Sequence, residues 1–263
     1  MAKLTWLPKK TFELEFSLPW EEVKKTYDAV VVDLVKTAKI EGFRPGKAPK
    51  EMVEKQADKG RLYGEVINRL LPQSYTAAIK QHGLRPVISP KITIVRAEEN
   101  KSWEFQASAC ELPEIVLGNY IGICRGALVK SKLETKELTP TEKFKLIAKA
   151  LIEEIKIEIS DLLIESERDR MLSRLLEQTE KLGLTIDRYA ASINKSVTQI
   201  REEYHKTAAN TLKLELILQA VADEKKFVPD SKEVDKLAKT ESERLVAASI
   251  LRKKQAIDFI TSL

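Results

Sequence analysis

Few residues of this chain have a type and spacing suited to covalent chemistry. His82 and His205 are its two histidines, far apart and each set in a charged helical pattern typical of surface positions. Cys110 and Cys124 form no CxxC pair, and Cys110 lies on a strand pattern, where it reads as a small buried side chain. No glycine-rich phosphate loop, H-E-x-x-H or G-x-S-x-G occurs. Acidic residues are interleaved with Lys and Arg, as on solvated helix faces. The sequence therefore predicts no catalytic residue, no metal ligands and no cofactor. One segment carries chemistry of a different kind. Residues 42–49 read Gly-Phe-Arg-Pro-Gly-Lys-Ala-Pro. Pro45-Gly46 suits the centre of a type II turn, where Pro sets φ and Gly accepts a positive φ. At the tip of a helical hairpin, such a turn projects Phe43, Arg44 and Lys47 into solvent. The ring can then enter a partner's apolar pocket while the guanidinium pairs with a carboxylate or phosphate. The alternative is a solvated turn whose Phe43 tucks under its own helices.

The elements around this segment follow from periodicity. Leu4 and Trp6, then Phe12, Leu14 and Phe16, alternate with polar residues and predict a strand pair. From Pro19 to about Glu41 the period lengthens, with Val23, Tyr27, Val30, Val31, Leu34 and Ala38 on one helical stripe. Gly42 is the predicted stop. Helices are predicted at 49–58 and at about 61–82, where Pro72 should kink or divide the second. Ile92 and Ile94, then Trp103, Phe105, Ala107 and Ala109, predict two more strands joined by a turn with Asn100 at its tip. This order indicates an α+β domain over residues 1–115, with an antiparallel sheet and a long helical hairpin.

After Pro113 the texture becomes helical. Residues 116–138, with Gly118, Gly122 and Gly126, read as a connector, and residues 139–263 as an all-α domain. Helix starts are predicted at Thr139-Pro140-Thr141-Glu142, near Asp161, and at the capping boxes Ser196–Gln199 and Thr240–Glu243. Ile155, Ile157 and Ile159 alternate, as in an extended segment. The apolar faces exceed what a compact bundle of this length buries. Leu212, Leu216 and Ile217 crowd one helix, and Val246, Ile250 and Ile257 mark another.

Composition narrows the field further. The chain has 263 residues, a net charge of +5, 43% hydrophobic and 32% charged residues, and two cysteines. It is too apolar for disorder, and no segment approaches the ~20 uncharged apolar residues of a membrane span. The N-terminus lacks the apolar stretch of a secretory signal, and so few cysteines make no disulfide framework, so the expectation is a cytoplasmic protein. The small positive surplus argues against wrapping of DNA and leaves room for a local basic site.

Gly42-Phe43-Arg44-x-Gly46-Lys47-x-Pro49 resembles the ribosome-binding signature of the trigger factor family, bacterial chaperones that meet nascent chains at the ribosomal tunnel exit. All six fixed positions match, in a strand–helix–loop–helix–helix–strand–strand context that ends in Glu-Leu-Pro-Glu at 111–114. The second half resembles the family's arm-bearing helical domain. The resemblance implies docking through Gly42, Phe43, Arg44, Pro45, Gly46, Lys47 and Pro49 on the large ribosomal subunit, at the tunnel-exit protein and adjoining ribosomal RNA, with Lys50 as a further cation toward phosphate. It also implies ATP-independent holding of nascent and unfolded polypeptides on the helical half. Leu212, Leu216, Ile217, Val246, Ile250 and Ile257 are then the candidate client contacts. No membrane partner is implied, and a homodimer off the ribosome stays open. Family members usually carry a prolyl-isomerase domain of the FK506-binding type between the two parts. Such a domain needs on the order of a hundred residues, and residues 115–138 leave no room for it. The alternative function is a peptidyl-prolyl cis-trans isomerase with an unrecognised site.

Overall fold

A computed structural model describes residues 2–263 apart from 39, 41, 42, 45 and 133–137, and apart from the side chains of 130–132. The chain forms two compact units, Met1–Leu112 and Pro113–Leu263.

The first unit contains β1 (Lys3–Leu7), β2 (Thr11–Leu18), α1 (Trp20–Thr37), α2 (Lys50–Gln56), α3 (Lys59–His82), β3 (Lys91–Arg96) and β4 (Trp103–Cys110). The strands make one antiparallel sheet in the order β1-β2-β4-β3. Period-2 alternation puts Phe12, Leu14, Phe16 and Leu18 of β2 on one face, in register with Ala109, Ala107, Phe105 and Trp103 of β4. All eight are buried. Val23, Val30 and Val31 of α1 and Leu62, Val66 and Ala78 of α3 complete this core. Each large side chain buried there contributes about 1.5–3 kcal/mol. The opposite face is polar, where Gln106 donates to Glu13 at 2.8 Å. Trp103 is buried without losing its hydrogen bond, because its Nε1–H donates to the Glu98 carbonyl at 3.1 Å. Asn100 adopts φ +61° at the predicted turn tip. Pro72 does not divide α3, which runs unbroken from Lys59 to His82. Helix α1 ends at Thr37, with Ala38 extended behind it. The predicted stop at Gly42 lies outside the described residues.

The second unit is helical: α4 (Tyr120–Lys132), α5 (Pro140–Glu154), α6 (Asp161–Lys181), α7 (Ile186–Ser192), α8 (Val197–Glu224), α9 (Ser231–Leu237) and α10 (Glu241–Thr261). Full capping boxes open α5, α8 and α10, at Thr139–Glu142, Ser196–Gln199 and Thr240–Glu243. Each is worth about 0.5–2 kcal/mol. The apolar residues segregate into separate clusters rather than one core. The beginning of α8 packs Ile200 with Leu175 of α6 and Ala190 of α7. Its middle packs Ala208, Leu212 and Leu216 with Ile159 and Ile164. Its end packs Ile217, Leu218, Val221 and Ala222 with α4, α5 and Ile260 of α10. A further cluster joins Val234 and Ala238 to Ala247 and Leu251.

Within the stretch read as a connector, Tyr120–Lys132 form the helix α4. Tyr120 and Cys124, one turn apart, are buried in the cluster with α5 and α8, and this burial outweighs the low helix propensity of the glycines. Gly122 also has a structural task. Asn119 caps α4 by accepting from the Gly122 N–H at 3.0 Å, and a Cβ at Gly122 would collide with that Asn119 side chain. The short helices α7 and α9 were not expected. Each is opened by a side-chain cap, Thr185 on the Arg188 N–H and Asp230 on the Lys232 N–H.

Candidate functional site

The connection between α1 and α2 is built by a tight turn and a small apolar cluster. The Lys47 N–H donates to the Arg44 carbonyl at 3.0 Å, and Gly46 has φ +79°, as the predicted turn requires. Gly46 also lies close to the end of α1, since a Cβ added there would stand 3.5 Å from the Lys36 carbonyl oxygen. Beneath the turn, Ile40, Ala48 and Val53 are buried against Leu34, Val35 and Ala38. Pro49 then precedes the first turn of α2, and its carbonyl accepts from Met52 and Val53.

With the backbone held this way, Phe43 is 39% exposed, and Arg44, Lys47 and Pro49 are exposed as well. Among the described residues, neither Arg44 nor Lys47 has a side-chain partner. Gly42 and Pro45 lie outside the described residues. Lys50 differs from its neighbours. Its Nζ sits 2.5 Å from Asp28 Oδ1 on α1, so its charge is already paired within the chain. Next to it, the Tyr27 hydroxyl donates to Glu54 at 3.0 Å. Burial, then this bond to a carboxylate, push the Tyr27 phenol up to about 12, so it stays a donor across the neutral range.

The helical unit sorts its candidate residues by burial. Leu212, Leu216 and Ile217 are 9%, 8% and 0% exposed, and lie between α8 and its neighbours. They are core, and their expected role as client contacts is withdrawn, because helix packing already occupies their surface. Ile257 is partly buried against the cluster that holds Ile260. Val246 and Ile250 stand 59% and 57% exposed, one turn apart on α10, and Leu245 beside them is more exposed still. Leu245 was missed in the sequence because it falls off the stripe that continues to Ile260. Periodicity alone does not mark its side of the helix as uncovered.

The remaining chemistry-bearing residues are structural. His82 Nε2 lies 3.0 Å from the Ala2 carbonyl and ties down the N-terminal residues. Cys124 is buried, and burial pushes its thiol up to about 11, which leaves little thiolate at neutral pH. Among the described residues no cluster of His, Cys, Asp and Glu could hold a metal ion, and no helix is long and apolar enough to cross a membrane. An open groove of about 660 Å³ runs between α4 and α5, lined by Gly122, Ile123 and Leu146 and by the polar Asn119, Lys149, Glu153 and Glu154.

Comparison with known proteins places this architecture. Residues 2–142 match the family model for bacterial trigger factor protein, and residues 129–261 match that for the trigger factor C-terminus. The trigger factor of Lactobacillus gasseri is 37% identical over 115 residues, which is 44% of this chain and 26% of that protein. The trigger factor of Desulforamulus reducens is 35% identical over 117 residues, 44% of this chain and 27% of that one. The chain therefore aligns with only about a quarter of the length of these curated relatives. A solved trigger factor chaperone, described for promiscuous substrate recognition in folding and assembly, superposes with a TM-score of 0.66 over 100% of this chain and 99% of its own. At 14% identity that likeness speaks to fold alone. With both halves matched by its family models, the chain belongs to the trigger factor family.

Proposed function

We propose that this chain is an ATP-independent chaperone that docks at the ribosomal tunnel exit through the α1–α2 connection and shields nascent or unfolded polypeptides on its helical unit. The observation that carries this reading is the exposure of Phe43, Arg44 and Lys47 together on a turn that the α1–α2 packing holds, with both cations free of partners among the described residues. An aromatic ring beside two unpaired cations suits a surface of protein and ribosomal RNA, where each phosphate contact adds a salt-sensitive contribution. With two such cations the salt dependence is shallow and the binding transient. Leu245, Val246 and Ile250 are the client surface on α10, an exposed apolar patch able to accept varied sequences. Isomerase activity is not part of this reading, since among the described residues the stretch between β4 and α5 contributes α4 to the helical core.

Co-sedimentation with 70S ribosomes tests the docking role. Wild type should pellet with ribosomes, and Phe43→Ala/Arg44→Ala/Lys47→Ala should stay in the supernatant. Equal pelleting of the two proteins would refute it. A proline-peptide isomerisation assay with measurable turnover would overturn the non-enzymatic part.

A further inference from the structure

The docking role proposed above depends on how the α1–α2 connection is aimed, and its support is thin. Helix α2 has seven residues, too short to be stable alone, and its only buried residue is Val53. Among the described residues, its side-chain hydrogen bonds to α1 come from two consecutive residues. Asp28 pairs with Lys50 at 2.5 Å, and Tyr27 donates to Glu54 at 3.0 Å. Lys50 and Glu54 are four apart and share one face of α2, so adjacent side chains on α1 grip that face at two points one turn apart. The grip is anchored in the sheet. The Tyr27 ring packs on Tyr63 with centroids 5.2 Å apart, and Tyr63 meets the buried Trp103 at 5.2 Å. The Tyr63 hydroxyl donates in turn to Glu99 at 2.7 Å. A continuous row of rings therefore runs from the sheet core to the underside of α2.

We propose that Tyr27 and Asp28 are positioning residues for docking, which clasp α2 at Glu54 and Lys50 and so hold Phe43, Arg44 and Lys47 in the orientation that binds. Lys50 is then a strut and not a docking cation. The inference rests on the docking reading for its consequence, but the clasp itself can be read without ribosomes.

The test uses the full chain. Tyr27→Phe/Asp28→Asn removes both grips at almost constant volume. Its ribosome affinity should fall about five- to tenfold, and amide exchange across residues 47–56 should quicken by a similar factor. Exchange in β4 and the melting temperature should hardly change, because Phe keeps the Tyr27 ring packing against the core and the groups removed are one hydroxyl and one exposed charge. The exchanged pair Asp28→Lys/Lys50→Asp should bind within about twofold of wild type, whereas Lys50→Asp alone should bind weakly. Unchanged affinity of Tyr27→Phe/Asp28→Asn would overturn the proposal. So would failure of the exchanged pair to recover, since Lys50 would then be touching the ribosome itself. If wild type does not bind ribosomes, the docking reading fails, and the exchange rates alone decide whether the clasp exists. Unaltered exchange at 47–56 in Tyr27→Phe/Asp28→Asn would remove it.

Discussion

Ile217→Ala and Ile250→Ala separate the two kinds of apolar residue in the helical unit. Ile217 is fully buried among Tyr120, Cys124, Ile147, Leu151 and Ile260, where α4, α5, α8 and α10 meet. Truncation there removes several well-packed carbon atoms and leaves a cavity that four helices cannot collapse together. The cost is about 2–5 kcal/mol. For a unit of this size, about 3 kcal/mol lowers Tm by roughly 6–12 °C. Ile250 is 57% exposed, so its truncation should alter stability by no more than about 0.5 kcal/mol, or roughly 1–2 °C. Function should move in the opposite sense. Ile250→Ala, and more strongly Leu245→Ala/Val246→Ala/Ile250→Ala, should weaken suppression of light scattering by a chemically denatured protein diluted into buffer. Ile217→Ala should suppress as wild type does, well below its own melting transition. Calorimetry gives the first pair of numbers and light scattering the second. Equal Tm losses for the two single variants would refute the burial argument, and full suppression by the triple variant would refute the client surface on α10.

Three further outcomes follow from local geometry. Gly46→Ala forces a side chain into φ +79° beside the Lys36 carbonyl, at a strain of about 1–2 kcal/mol that the free turn relieves by relaxing and the bound turn does not, so ribosome affinity should fall roughly five- to thirtyfold while Tm stays within about 2 °C. An unaffected affinity in a sedimentation titration would mean that the turn is not the bound conformation. Arg252 donates to Asp223 at 2.5 Å and to the Phe227 carbonyl at 3.0 Å, so Arg252→Met strips both groups of a donor. The urea midpoint should report a loss of about 1–3 kcal/mol, and wild-type stability would show the pair to be ornamental. At the start of α10 the backbone N–H groups of Lys239 and Thr240, 2.7 and 3.0 Å from the Glu243 carboxylate, hold it below its usual 4.5. A lowered folded-state pKa means that the stabilisation is complete above pH 4.5 and is lost as the pH falls below it. Backbone chemical shifts of residues 241–243 should therefore lose helical character on acidification below that value in wild type. A Glu243→Gln variant that tracks wild type through this range would contradict the assignment.

Legibility in the sequence followed the range of the forces involved. The strand pairs, the turn at Asn100 and the capping boxes at Ser196 and Thr240 could all be read because each is written in neighbours: period-2 alternation, one residue tolerant of positive φ, or a hydroxyl three residues before Gln or Glu. The turn at Gly46 was readable for the same reason. Helix α4 was not, because its case rests on Tyr120 and Cys124 meeting α5 and α8 across long stretches of sequence, against a local signal from glycine that pointed the other way. The clasp at Lys50 was equally hidden. Nothing near residue 50 announces that Asp28, one helix earlier, cancels its charge.

The same contrast explains why docking and holding differ in how firmly they attach to particular residues. The proposed docking needs a few side chains in fixed relation, and those named for it gather on one short segment, where Phe43 is exposed and Arg44 and Lys47 have no partner among the described residues. The proposed holding of varied clients needs no fixed relation. Its surface would be whatever apolar area remains after the helices have satisfied one another. On α8, partners along its length consume Leu212, Leu216 and Ile217. On α10 the inward side, Ala247 and Leu251, is covered by α9, while Val246 and Ile250 stay exposed. A client surface of this kind is defined by subtraction. Substitutions on α9 that shift its packing against α10 should therefore redraw the client surface without touching a client-binding residue. A Val234→Ala variant, which loosens that packing, should raise binding of a hydrophobic dye at α10 and leave ribosome affinity as it was. Unchanged dye binding would show that α9 does not set the boundary of the exposed patch.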